Sequence, residues 1–75
     1  MKQMLLDITK AIVEDPDSVV ISEKVSGDTV VLELSVAKQD MGRVIGKEGK
    51  IAKSIRTVMR AAAAKENKRV IVDII

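Results

Sequence analysis

No histidine, cysteine, phenylalanine, tyrosine or tryptophan occurs in the 75 residues, and there is only one proline. Each absence removes a class of chemistry. Without His, Cys or Tyr, a general acid or base is limited to a carboxylate or a lysine, and the Ser–His and Cys–His nucleophile pairs cannot be assembled. Disulfides and thiolate metal sites go with the cysteines, in keeping with a reducing compartment. A chain this short with these gaps is expected to be no enzyme and to carry neither cofactor nor metal. No apolar run approaches the about 18 residues of a membrane span, and the first residues lack the layout of a cleaved signal peptide. A cytoplasmic protein without membrane contact is expected.

What is present is aliphatic. Hydrophobic residues make up 47% of the chain, so Ile, Val, Leu, Met and Ala must fill a compact interior in one domain spanning residues 1–75. Net charge is +2, but it is unevenly placed. Residues 1–37 hold three lysines against seven carboxylates, a balance of −4, whereas residues 38–75 hold ten Lys and Arg against four carboxylates, a balance of +6. Cations gathered in one half attract a polyanion through their local field even where total charge is small.

Met1, Met4, Leu5, Ile8, Ala11 and Ile12 recur every three or four positions and predict a helix over about residues 2–14, stopped by Pro16. Val19, Ile21, Glu23 and Val25 alternate with their neighbours as a strand, Ser26-Gly27-Asp28 reads as a hairpin turn, and Val30, Leu32, Leu34 and Val36 form a second strand. Asp40 to Ile45 allows a short helix. Ile51, Ile55, Val58, Met59 and Ala62 predict the inward stripe of a longer one, and Val70, Val72 and Ile74 a last strand. The order is αββααβ, an α+β class in which a three-stranded sheet carries three helices on one face.

Between the last two helices stands Val44-Ile45-Gly46-Lys47-Glu48-Gly49-Lys50-Ile51. Two glycines at a helix start combine positive φ, close backbone approach, unpaired amides and the positive end of a helix dipole, a setting for an anion such as phosphate. It is not a Walker-type loop, because only three residues separate Gly42 from Gly46 and Glu48 stands where Ser or Thr is required.

With its VIGxxG pattern between two helices, the chain resembles a KH domain, and αββααβ corresponds to the type II arrangement, closest to the small single-domain bacterial members. The resemblance implies single-stranded RNA binding, with about four nucleotides clamped beside the loop. It points to Gly46, Lys47, Glu48 and Gly49 as the loop, with Ile45 and Lys50 beside it; Glu48 is a departure, being negative where such loops are often basic. The residues themselves agree: without aromatics, a base-stacking sheet is ruled out, while an aliphatic groove with phosphate-binding amides is not. Arg43, Lys53 and Arg56 are expected to extend the electrostatic track, and Arg60 is either a further contact or part of a solvated face. The resemblance further implies an RNA chaperone working with a larger KH-containing partner, linked to cell elongation and cell-wall homeostasis.

Ala61-Ala62-Ala63-Ala64, with Val58 and Met59, makes the end of the long helix apolar on nearly every side, more than one sheet can cover. Val58, Met59, Ala61 and Ala62 are therefore expected to form an interface, in a homodimer or in a heterodimer with the KH partner. The competing reading is a degenerate KH fold kept as a protein-interaction module.

Overall fold

The computed structural model describes residues 1–75 and has the expected element order. Helix α1 spans Lys2–Ile12, β1 Val20–Ser26, β2 Thr29–Ser35, α2 Met41–Ile45, α3 Lys50–Lys65 and β3 Arg69–Ile74, with single 3-10 turns at Pro16–Ser18, Lys38–Asp40 and Lys47–Gly49. The first helix ends two residues earlier than expected. Glu14 and Asp15 would place negative charge at the negative end of its dipole, and their amides instead donate to the carboxylate of Asp40. Pro16 does not stop α1; it opens the following 3-10 turn, where its missing N–H costs nothing.

The sheet order is β1-β2-β3. β1 and β2 pair antiparallel through a two-residue turn that sets Ser26 opposite Thr29. β2 and β3 pair parallel, with Val30, Leu32 and Leu34 beside Val70, Val72 and Ile74. Parallel neighbours need a crossover, and α2 and α3 supply it, which places the glycine loop at the bend between two crossover helices.

The strand alternation is borne out on β2, where Val30, Leu32 and Leu34 are buried, and on β3, where Val70 and Val72 are. Along the first strand segment it holds only for Ile21 and for Val19 just before β1; Glu23 and Val25 lie exposed near the hairpin tip. The core joins this inner sheet face to Leu5 from α1 and to Ile55, Met59 and Ala63 from α3. Thr9 is buried as well, its hydroxyl donating to the Leu5 carbonyl at 2.8 Å so that no polar group is left unpaired.

The stripe of α3 is rotated from expectation. Ala52, Ile55, Met59 and Ala63 face inward, whereas Ile51 and Val58 remain 37% and 44% exposed. The apolar arc of α3 is too broad for periodicity to select its centre, and small Ala63, in the core cluster with the strand residues, allows the helix backbone to approach the sheet closely.

At its C-terminus α3 closes in a Schellman motif. Lys68 N–H donates to Ala63 O at 2.9 Å and Asn67 N–H to Ala64 O at 3.1 Å, with Asn67 at φ 58 in the left-handed conformation that asparagine tolerates. Arg69 N–H then bonds Asp28 O at 2.8 Å, so the helix cap delivers the chain straight into the parallel strand. No helix is long and apolar enough to cross a membrane.

Candidate nucleic-acid interface

The loop joining α2 to α3 is built from unusual backbone. Gly46 has φ 76 and ψ 175, Glu48 φ 57 and ψ 25, and Gly49 φ 76 and ψ 14, so three of the four residues from Gly46 to Gly49 lie at positive φ. Gly46 occupies a region open essentially to glycine alone. A Cβ there would also lie 2.6 Å from Ile51 Cγ1 and 2.9 Å from the Ile51 backbone nitrogen, whereas a Cβ on Gly49 would meet open space. The first glycine is thus required twice over, by dihedral angle and by contact; the second is required by its dihedral angle alone.

Gly46 N–H is used on Gly42 O at 2.9 Å and Gly49 N–H on Gly46 O at 3.2 Å, while Lys47 and Glu48 open the 3-10 turn, where the turn's own ladder makes no use of their amides. No side chain caps the start of α3. Successive amides in a bend of this kind make an anion-binding concavity at the positive end of a helix dipole. Lys47 and Lys50 stand on either side of it, and Ile45 and Ile51 provide half-exposed aliphatic surface next to it.

Beyond the loop, α3 has two unlike flanks. Lys53, Arg56 and Arg60 fall on the side toward β3, and Ile51, Val58 and Ala62 on the side toward α1, a division that follows from the 100° step of the helix and the buried positions of Ala52, Ile55, Met59 and Ala63. Between the basic flank and the outer edge of β3 runs a pair of clefts of about 420 and 240 Å³ lined by Arg56, Arg60, Lys68, Arg69 and the strand residues Val70 to Asp73. Arg56 Nε donates to Val72 O at 3.1 Å and so pins α3 to this edge. Aliphatic strand residues and four cations thus line one continuous surface along the helix and the strand.

The sequence-predicted residues are thereby sorted. Gly46, Lys47, Glu48, Gly49, Lys50 and Ile45 come together at the loop, and Lys53 and Arg56 continue along the groove. Arg43 does not join them: its guanidinium reaches the Glu14 carboxylate and lies 3.5 Å from Asp40 Oδ1, on the side of α2 toward the α1–β1 connection. Arg43, expected to extend the cationic track, thus has its charge facing two carboxylates and stands apart from the groove cations. Sequence reasoning missed Lys68 and Arg69 and left Arg60 undecided. Only the parallel pairing of β3 with β2, which lays β3 alongside α3, brings them to the groove; the one local signal was the spacing of Arg60 four residues after Arg56.

The expected interface is also partly corrected. Met59 is fully buried in the core and cannot meet a partner, while Val58, Ala61 and Ala62 line an open cleft with Met4, Lys65 and Glu66. A second, continuous cleft is lined by Ile8, Ile12, Ile51, Ser54, Ile55 and Val58. The apolar face therefore runs along the α1–α3 seam, opposite the cationic groove.

Comparisons with known proteins agree with this architecture. The chain is similar to the RNA-binding protein KhpA of Clostridium acetobutylicum, at 59% identity over 100% of both chains. It is similar to the KhpA proteins of Clostridium perfringens and Caldanaerobacter subterraneus, at 51% identity over 100% of both chains in each case. Among solved structures, an Aquifex aeolicus Era variant bound to GDP and aluminium fluoride superposes with TM-score 0.64 at 18% identity. Era in complex with MgGDPNP and a segment of 16S ribosomal RNA superposes with TM-score 0.60 at 16% identity. Each match covers 97% of this chain and 28% of the Era chain, a likeness of fold alone. The family model described as KhpA/KhpB, KH domain, matches residues 2–74, and with the glycine loop set in the crossover of an αββααβ fold, the chain belongs to the KhpA/KhpB KH-domain family.

Proposed function

We propose that residues 1–75 act as one non-enzymatic KH module that binds single-stranded RNA, holding about four nucleotides across the Gly46–Gly49 loop and the α3–β3 groove. The observation that carries this reading is the positive-φ backbone of Gly46, Glu48 and Gly49, which sets the amides of Lys47 and Glu48 at the start of a helical turn, at the mouth of a cationic groove. The amides and Lys47 take a phosphate, Lys50, Lys53 and Arg56 follow the backbone, and bases rest on Ile45 and the aliphatic edge of β3. The RNA-binding name of relatives 51–59% identical supports the same reading. In the cytoplasm, the protein serves as an RNA chaperone in post-transcriptional regulation tied to cell elongation and cell-wall homeostasis, acting with a KhpB-like KH protein; the family it shares with KhpB supports this pairing.

Substituting Lys47→Asp together with Glu48→Asp is expected to weaken binding of a single-stranded oligoribonucleotide at least about tenfold while the thermal melt is unchanged, since aspartate tolerates the positive φ at position 48. For the unsubstituted protein, log K should fall with log salt at a slope of about −2 to −3, as three or four phosphate contacts on a single strand require. Unchanged affinity in the folded double variant, or a flat salt response, would show instead that the fold works as a protein-interaction module.

The apolar α1–α3 face favours an assembly that raises avidity for RNA, a homodimer or a heterodimer with the KhpB-like partner. Val58, Ala61 and Ala62 are its centre, without Met59. Introducing Ala61→Glu is expected to shift the mass measured by light scattering toward the monomer while circular dichroism remains native. A mass unaffected by that charge would place the interface elsewhere.

A further inference from the structure

Asp40 stands at the N-cap of α2, where an aspartate ordinarily accepts hydrogen bonds from the first amides of its own helix. Here it makes no such cap. Its side chain is fully buried, and its two carboxylate oxygens accept the backbone N–H groups of Glu14 and Asp15, each at 3.0 Å. Arg43, one turn along α2, closes the cluster by reaching both Asp40 and Glu14. A charged residue has thus been withdrawn from capping and used to tie α2 to the connection after α1, 25 and 26 residues earlier in the chain. α2 is only five residues long, too short to hold its direction through its own hydrogen bonds, and it leads directly into Gly46.

We propose that Asp40, with Arg43 as its partner, is a positioning residue for the Gly46–Gly49 loop: it fixes the axis of α2, and thereby the direction of the loop amides, without touching RNA itself. The affinity part of this inference rests on the RNA-binding reading above; the effect on the loop does not. A bent loop whose amides are already aligned loses less freedom on binding than one that must be ordered by the ligand. Arg43, although cationic and four residues from Lys47, contributes to RNA binding only through this alignment.

The test uses Asp40→Asn, which keeps the shape but presents an N–H₂ group to one of the two amide donors. Val30→Ala, a cavity in the central strand, serves as a control that destabilises without touching the cluster. At a temperature well below both midpoints, Asp40→Asn should weaken oligoribonucleotide binding about tenfold with the slope of log K against log salt unchanged, and Val30→Ala should leave both unaltered. Removing a direct Lys47–phosphate interaction would instead reduce the slope by about one. Amide exchange at Gly46 and Gly49, read by NMR without RNA, should accelerate in Asp40→Asn and not in Val30→Ala. Arg43→Gln should reproduce the pattern more weakly, again without a change of slope. The inference is overturned if exchange at both glycines is unchanged in Asp40→Asn, or if Val30→Ala accelerates it equally. A reduced salt slope in Arg43→Gln would make that residue a direct contact and overturn its assigned role. If the unsubstituted protein fails to bind RNA, the functional reading falls, while the exchange measurement still decides whether Asp40 holds the loop.

Discussion

Gly46→Ala is expected to lower the melting temperature by about 15 °C or more and to abolish measurable RNA binding, while Gly49→Ala costs far less. At Gly46 the added methyl would lie 2.6 Å from Ile51 Cγ1 and 2.9 Å from the Ile51 backbone nitrogen. The side-chain contact can be relieved by a rotamer change; the backbone contact cannot, because Ile51 is fixed in the first turn of α3. The backbone conformation of Gly46 adds about 1–3 kcal/mol of strain for any other residue. Together these approach about 3 kcal/mol or more, and each kcal/mol shifts the midpoint of a domain this size by about 4–8 °C. At Gly49 there is no steric contact, so only the left-handed conformation disfavours alanine, by about 1–2 kcal/mol. The comparison is made by thermal melts and oligoribonucleotide titration of both variants side by side. Equal losses at the two glycines would refute the assignment of Gly46 as the sterically required one.

Met59→Asp is expected to leave the chain largely unfolded at 25 °C, in contrast to the Ala61 substitution two residues away. Met59 is fully buried, and the core cluster it belongs to is aliphatic throughout, with nothing in it to compensate a carboxylate. An uncompensated charge in a core costs about 3–5 kcal/mol, a large fraction of the total for a small domain whose stability lies near the lower end of about 5–15 kcal/mol. Far-UV circular dichroism against urea would show it. A cooperative transition for Met59→Asp close to that of the unsubstituted protein would mean that α3 does not seat Met59 in the core and packs in a phase other than the one seen here. This pair of variants therefore tests the rotation of α3 independently of any ligand.

That rotation illustrates what was legible in the chain and what was not. The existence of α3 followed from apolar residues every three to four positions, but its apolar arc covers more than the sheet can bury, and no one-dimensional pattern states which flank wins. Asp40 is a second example. It read as one more position of a short helix, and nothing in its neighbourhood announced that its acceptors would be used on amides 25 and 26 residues upstream. Arg43 followed from that: its charge was visible, its two carboxylate partners were not. Lys68 and Arg69 carried no signal of their own in the chain; the Schellman turn and the parallel register brought them to the groove beside Arg56 and Arg60.

By itself the sequence determined the element order, the chemistry excluded by its missing side chains, and the position and character of the glycine loop, because propensity, alternation and positive-φ turns are local properties carried by neighbouring residues. The tertiary structure decided which face of α3 is inside, which cations share a groove and which acid anchors the helix before the loop. Those outcomes depend on contacts between residues far apart in the chain, and they are settled only when a helix, a strand edge and a buried carboxylate compete for the same limited surface.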